Sequence, residues 1–460
     1  MITSYNDTIA GIATAPGEAG VSIIRISGEQ AISLVDSFFR PKNNKSVKEL
    51  KNRYLTFGSI EKDGKTIDEA LVCVMRKPNS FTAEDVAEIH CHGGMFLTQT
   101  VLELALQAGA RLSNPGEFTQ RAFLNGRIDL TQAEATNDII RAKSIAGLEL
   151  VVNQLKGKLY ERISIIRDKI SWVLSLVNAG IDFPEEDTVF TNFDEINSKL
   201  AEAEQELKKL IDSADTGIKI REGYHVVLAG QPNVGKSSLM NGLLEKSRAI
   251  VHSVPGTTRD TIEESFLIKG VPVSLIDTAG IHSTTDLIEK EGIKRAETAV
   301  KQADLILWVL DATDPDFDTP LPISTDTFIA PVLLILNKKD LMNQNIIDIP
   351  KPLQKFKHVL ISALDEQDVR KLKNEIFEVI TGKTGIFTEE TMLTNLRQKI
   401  SAEKALEALK TSKLTLSHRE GEELLAVDLS QTLLALGEIV GETTPDDMLN
   451  QIFSEFCIGK

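Results

Sequence analysis

The sequence predicts a multidomain protein of mixed α/β and α class: an N-terminal α+β domain, a helical domain split in two, and an α/β domain inserted within it. Three observations carry that expectation. The chain has 460 residues, too many for one core, and about 100–200 residues per domain suggests three domains. Its texture passes from short alternating strands to long amphipathic helices near residue 130, returns to strands at 224–381, and is helical again to the end. A glycine-rich loop lies where one of the central apolar runs gives way to a helical run.

The elements follow in order. Residues 20–26 and 69–75 read as short apolar strands and 97–108 as a helix, which together suggest a compact α+β domain. From Leu148 to Val177, apolar residues recur at three- and four-residue spacing, the signature of long amphipathic helices. Asp182-Phe183-Pro184-Glu185-Glu186-Asp187 ends that stretch, and residues 194–211 supply a further helix rich in Glu and Lys. The runs 225–229, 273–276 and 305–310 are apolar on both faces, as in buried parallel strands. Residues 391–409 and 422–438 read as helices. The expected boundaries are an N-terminal domain at 1–122, helical parts at 123–217 and 382–460, and the inserted domain at 218–381. Insertion at a surface turn is tolerated because domain termini often lie close together.

Composition narrows the function. Hydrophobic residues at 42% and charged residues at 26% are ordinary for a globular protein and argue against wholesale disorder. No apolar stretch approaches the length of a membrane span, and no basic or apolar leader opens the sequence, so the expectation is a cytoplasmic protein with no membrane contact. Cys73, Cys91 and Cys457 form no CxxC pair, which speaks against a disulfide framework or a zinc knuckle. His90-Cys91-His92 reads as a turn before Gly93-Gly94 rather than a metal site. The net charge of -16 excludes a generally basic nucleic-acid binder. Residues 1–122 hold 13 basic and 14 acidic side chains, so the acidity lies beyond them and any RNA contact must be local or shared with a partner.

The loop Gly230-Gln231-Pro232-Asn233-Val234-Gly235-Lys236-Ser237 has the strand–loop–helix context of a P-loop. Its backbone N–H groups suit phosphate oxygens, Lys236 the outer phosphates, and the Ser237 hydroxyl a magnesium ion. Asn337-Lys338-Lys339-Asp340 follows an apolar strand and fits the NKxD element, whose aspartate accepts from the guanine ring N–H and amine. Guanine is the expected base. Ser362-Ala363-Leu364 resembles the element that sets a backbone N–H near the guanine oxygen. Asp277-Thr278-Ala279-Gly280 and Gly256-Thr257-Thr258-Arg259-Asp260 resemble the two switches, with Asp277 holding magnesium through water and Thr258 completing its shell. The position where Ras-like enzymes carry a water-orienting glutamine holds Ile281, which can neither donate nor accept a proton. His282, Asp286 and Glu289 are the nearby candidates.

Longer segments resemble one family. Residues 6–17, Arg25-Ile26-Ser27-Gly28, Phe81-Thr82-Ala83-Glu84-Asp85, residues 115–126, Asp129-Leu130-Thr131-Gln132-Ala133-Glu134-Ala135 and the ending Cys457-Ile458-Gly459-Lys460 are similar to the MnmE (TrmE) family of tRNA-modification GTPases. The resemblance spans nearly the whole chain. It implies a folate-binding-type α+β N-terminal domain, a discontinuous helical domain and an inserted Ras-like G domain. It further implies a potassium ion held by Asn233 and by carbonyls at His252, Val254 and Thr257, with Glu289 as the water-orienting carboxylate. GTP contacts are implied at Asn233, Val234, Gly235, Lys236, Ser237 and Ser238, at His252, Ser253, Val254, Pro255, Gly256, Thr257 and Thr258, and at Asp277, Thr278, Ala279 and Gly280. The base side adds Asn337, Lys338, Asp340, Ser362, Ala363 and Leu364. Magnesium falls to Ser237 and Thr258.

The same resemblance implies a tetrahydrofolate derivative, in its 5-formyl or 5,10-methylene form, at Arg25, Glu88, Arg127 and Lys460. Taken as residues alone, Arg25 is a surface charge at a strand end and Glu88 a solvated carboxylate. Cys457 is either a nucleophile toward a uracil ring or a small residue near the folate pocket. The implied assembly is a homodimer joined through the N-terminal domain, working on tRNA with the MnmG (GidA) protein, in a heterotetramer or larger complex. Its implied product is a carboxymethylaminomethyl or aminomethyl group at position 5 of the wobble uridine. A ribosome-assembly GTPase would need a basic RNA-binding module, which the sequence lacks. A GTP-regulated scaffold without catalysis is the other alternative.

Overall fold

The computed structural model describes residues 7–183, 192–244, 263–277, 298–314, 330–342, 349–382, 391–419, 421–457 and 459. The chain divides into two compact units, one of Met1–Arg141, Val152–Lys209 and Arg397–Lys460, the other of Ala142–Val151 and Leu210–Leu396.

The first unit opens with β1 (Ile9–Ile12), β2 (Ser22–Ser27), α1 (Ala31–Phe38), β3 (Phe39–Pro41), β4 (Thr56–Lys62), β5 (Lys65–Met75), β6 (Val86–Cys91), α2 (Met95–Gln107) and β7 (Arg111–Leu112). The strands form one sheet in the order β3-β4-β5-β6-β2-β1-β7. Strand alternation decides what each face carries. Ile24, Ile26, Val72, Val74, Ala87 and Ile89 point to the covered face and join Val35, Phe38, Val101 and Leu104 of α1 and α2 in the core. Arg25, Glu88, Cys73 and His90 occupy the intervening positions, on the open face. The strand β6 runs through His90 to Cys91, so in place of the expected turn these two residues are extended backbone held by pairing with β2 and β5, and the chain leaves the strand at His92.

Helices follow in the chain: α3 (Glu117–Leu124), α4 (Leu130–Arg141), α5 (Ile145–Leu155), α6 (Lys158–Asp182) and α7 (Phe193–Glu222), of which α5 up to Val151 and α7 from Leu210 belong to the second unit. The apolar run from Leu148 to Val177 is two helices, because Gly157 between them adopts a left-handed φ of 81°. Along α6 the buried residues Leu159, Ile163, Ile166, Ile170, Val173 and Val177 make one stripe, as their spacing predicts. The stripe packs on α11 (Glu422–Val440), from the far end of the sequence.

An ion cluster ties the two helical stretches of this unit together. Arg397, opening α10 (Leu396–His418), donates to both carboxylate oxygens of Glu134 at 2.7 and 2.9 Å and to the carbonyls of Glu438 and Ile439. Gln398 adds a third donor to Glu134 at 2.8 Å. Residues before and after the inserted domain therefore build one helical body, the discontinuity expected from the sequence. The expected helix at 391–409 starts only at Leu396. Before it, the Leu393 carbonyl lies where a Cβ on Gly217 would meet it at 2.3 Å, so this segment is packed on α7.

The second unit contains β8 (Tyr224–Ala229), α8 (Lys236–Leu244), β9 (Glu263–Ile268), β10 (Val271–Asp277), β11 (Leu305–Asp311), β12 (Val332–Asn337), β13 (Lys357–Leu360) and α9 (Glu366–Thr381). Its sheet has the order β13-β12-β11-β8-β10-β9, parallel except for the β9–β10 hairpin. Val226, Leu228, Leu307, Val309, Leu333 and Ile335 are buried on one face, and the residues between them, among them Val227, Ile306, Trp308 and Leu334, are buried on the other, which is why these runs lack alternation.

A second ion cluster stabilises the N-terminal sheet. Arg121, 1% exposed, donates to Asp7 at 2.7 Å and to Glu117 at 3.0 Å, and Arg111 also binds Glu117. Burial pushes the Glu117 carboxyl up, but Arg111, the Asn114 amide and Arg121 outweigh it and hold it below the usual range. That stabilisation is complete above the ordinary glutamate pKa and is lost as the pH falls through the lowered value. Arg121→Met leaves Glu117 buried without one partner and is expected to destabilise this unit by about 3–5 kcal/mol. Denaturant unfolding at neutral pH checks this, and the gap to the parent should shrink in acid.

Candidate functional site

In the second unit, every described element of the expected nucleotide site stands at the carboxyl end of a parallel strand, where open α/β sheets bind ligands. The loop after β8 leads into α8, with positive φ at Gly230, Asn233 and Gly235. Lys236 is buried and its Nζ donates back to the carbonyls of Gly230 and Gln231 at 2.8 and 2.7 Å. Asn233, Ser237 and Ser238 are exposed at the mouth, while Val234 is buried beneath it. Asp277 closes β10 with its backbone in register with Leu228 of β8, two residues before the loop. The parallel pairing thus sets the end of the DxxG strand next to the phosphate loop.

Asn337, 2% exposed, joins the loops. Its Nδ2 donates to the Val234 carbonyl at 2.8 Å, and its Oδ1 accepts from the Ala363 amide at 2.9 Å. The two bonds fix the amide's orientation, since a flip would set donor against donor and acceptor against acceptor. Gly235 is part of the same fit: a Cβ there would lie 2.2 Å from Asn337 Nδ2, at a φ of +97° that other residues avoid. Lys338 pairs with Asp311 at 2.6 Å. Burial pushes the Asp311 carboxyl up, and Lys338 and Thr313 together bring it below the usual range. Asp340 is exposed on the short turn Lys339–Leu341, and Leu364 is exposed as well.

Sequence reasoning missed Asp368. Nearly buried in the first turn of α9, it accepts from the Ser362 amide at 2.9 Å and from Lys339 at 3.1 Å. It therefore braces both guanine-side loops. An acid in a helix's first turn is too common to carry that signal. His252, Ser253, Val254, Pro255, Gly256, Thr257, Thr258, Thr278, Ala279, Gly280, Ile281, His282, Asp286, Glu289, Lys460 and the Asp277 side chain lie outside the described residues.

A second constellation lies on the open face of the N-terminal sheet. Arg25 and Glu88 are register partners in mid-strand, each 18% exposed, with Arg25 Nε 2.9 Å from Glu88 Oε1. Neither is the solvated charge that the residues alone suggest. His90 and Arg25 hold the Glu88 carboxyl below its usual range, against burial. His90 Nε2 stands 3.5 Å from Glu88, so the shorter contact with the permanently charged Arg25 is the firmer one. Phe81 is flanked by the guanidinium groups of Arg25 at 5.6 Å and Arg127 at 5.0 Å from the ring centroid. Arg25 also reaches the Gly459 carbonyl at 3.4 Å, which brings the C-terminal tail against this constellation. Cys457 is exposed, with its carbonyl accepting from the Gly116 amide. Phe81 and His90 had no sequence signal beyond their neighbourhood. Among the described residues no cluster of His, Cys, Asp and Glu fits a metal, and no helix is long and apolar enough to cross a membrane.

Two family models match: "GTP-binding protein TrmE N-terminus" at residues 8–127 and "MnmE helical domain" at residues 130–457. The chain belongs to the MnmE family of tRNA modification GTPases. The tRNA modification GTPase MnmE of Alkaliphilus oremlandii (strain OhILAs) is 43% identical over 458 residues, covering 99% of each chain. That of Clostridioides difficile (strain 630) is 41% identical over 457 residues, again with 99% of each chain. Among solved structures, the G domain of the T. maritima FeoB iron transporter is 30% identical over 34% of this chain and 98% of its own, with a TM-score of 0.26. As a member of that family the protein is a GTP hydrolase, with the family's N-terminal and helical domains.

Asn337→Ala removes both bonds that join the phosphate loop to the Ser362 loop. It is expected to weaken guanine-nucleotide binding by at least about tenfold, since each buried bond is worth roughly 1 kcal/mol and leaves an unpaired group behind. Titration with a fluorescent GDP analogue reads the change.

Proposed function

We propose that this GTPase is stimulated by potassium, uses magnesium, and acts as a homodimer with MnmG (GidA). Its product is a carboxymethylaminomethyl or aminomethyl group at position 5 of the wobble uridine of certain tRNAs. The carrying observation is the convergence of Arg25, Glu88, Phe81 and the tail at Gly459 on the open face of the N-terminal sheet. A GTPase switch alone has no use for it.

The residues fit the groups proposed for them. Exposed oxygen donors at Asn233 and Ser237 suit hard cations, joined by Thr258 for magnesium and by carbonyls at His252, Val254 and Thr257 for potassium. When bound, the two cations supply positive charge between the phosphates, the role an arginine finger plays elsewhere. Lys236 exchanges its two carbonyl acceptors for phosphate oxygens, Asp340 accepts from the guanine edge, and Glu289 orients the attacking water in place of the glutamine that Ile281 displaces. At the other site Glu88 accepts from ring N–H donors, Arg25, Arg127 and Lys460 face the anionic groups, and Phe81 offers a flat apolar surface. A 5-formyl or 5,10-methylene tetrahydrofolate supplies the one-carbon unit when bound there. GTP turnover drives opening and closing of paired G domains.

GTP hydrolysis should run several-fold or more faster in KCl than in NaCl at equal ionic strength, and Glu289→Ala should cost about a hundredfold or more in kcat. Equal rates in the two salts would rule out the potassium site. The pathway is read separately: mass spectrometry of tRNA nucleosides from cells lacking the protein should show loss of the modified wobble uridine, and an unchanged level removes the assignment.

A further inference from the structure

The segment from Arg40 to Phe57 departs from the rest of this acidic chain. Arg40, Lys42, Lys45, Lys48, Lys51 and Arg53 stand there against one acid, Glu49, in a protein of net charge -16. The fold gathers these charges rather than dispersing them. Three of them, Lys42, Lys45 and Lys51, line a cavity of about 500 Å³ together with Tyr54, Phe57 and the acid Glu49, while Arg40 pairs with Glu61 at 3.4 Å. Tyr54 and Phe57 remain 59% and 45% exposed, and Lys51 and Lys42 stand over their rings at 5.8 and 5.6 Å. Lys42 shares its charge with Glu69 at 3.4 Å, a contact in which both side chains are more than half exposed and which therefore screens it weakly.

Exposed rings set among lysines are the two requirements of a single-stranded nucleic-acid platform: cations for the phosphates and flat faces for the bases. An acidic peptide would use the lysines but leave the rings without purpose. The geometry points to this surface as the place where the tRNA backbone and an unstacked base dock, an inference that rests on tRNA being the substrate. Position supports it. Phe57, Leu71 and His90 are successive register partners across β4, β5 and β6, on the same open face as Arg25 and Glu88. From β4 to β2 is three strand spacings, about 14 Å. A nucleotide stacked on Phe57 lies within a few nucleotides' reach of the one-carbon pocket.

The test uses the full chain and an unmodified tRNA transcript, with affinity measured across a KCl series and GTP hydrolysis followed alongside. Lys42→Ala/Lys45→Ala/Lys51→Ala should weaken binding and reduce the slope of log affinity against log salt by about 2–3, the value for three lost phosphate contacts. Tyr54→Ala/Phe57→Ala should weaken binding roughly tenfold or more with the slope unchanged. Basal GTP hydrolysis should be unaffected in both. If the parent binds tRNA and both variants bind it equally well, the surface is overturned while the tRNA reading stands. If the parent binds no tRNA, both fail. Variants that keep tRNA but lose self-association or the MnmG partner overturn the proposal in favour of a protein interface.

Discussion

The nucleotide site depends on a single buried amide. Asn337 faces the Val234 carbonyl with its Nδ2 and the Ala363 amide with its Oδ1, so the phosphate loop and the base-side loop share one hinge pin. Neither loop is rigid on its own: each is irregular backbone following a strand, and irregular backbone keeps its shape only where its polar groups are satisfied. The parallel sheet brings the strand ends side by side, and Asn337 converts that adjacency into fixed spacing. Gly235 is the complement of this arrangement, because the space a Cβ needs is already filled by the amide. Asp368 and Asp311 extend the brace outward, anchoring Lys339 and Lys338 on either side of the base-reading turn.

The N-terminal pocket rests on a different constraint, the two-residue period of a strand. Ile24 and Ile26 face the core, which obliges Arg25 to face out, and Ala87 and Ile89 do the same for Glu88. Register then sets the two charges opposite one another. Because each neutralises the other, both tolerate the partial burial that the C-terminal tail imposes through Gly459. A lone charge there would be driven toward water or toward neutrality.

How much of this was legible in the sequence differs by site for physical reasons. The phosphate loop and the base-reading turn are local motifs, read directly because their chemistry is performed by neighbouring residues. Even the helical body's discontinuity was readable from texture, although its lock, Arg397 on Glu134, joins residues too far apart to be seen. The Arg25–Glu88 pair is long-range, and from the residues alone both looked solvated; only the resemblance singled them out. Asp368 was invisible because helix acids are common everywhere, and Phe81, though inside a segment that carries the resemblance, had no role because loop aromatics are as common. The helix after the insert began later than its pattern indicated because packing on Gly217 overrode local propensity.

Charge shows the same separation between composition and place. A net charge of -16 argues against nucleic-acid binding by the molecule as a whole, and that argument is sound at distances where charges sum. At physiological ionic strength the Debye length is about 8 Å, so a phosphate at the surface responds to the few charges near it rather than to the total. Lysines spaced along a segment leaving the sheet edge at β3 and returning as β4 meet that condition, because the chain must double back and so concentrates them.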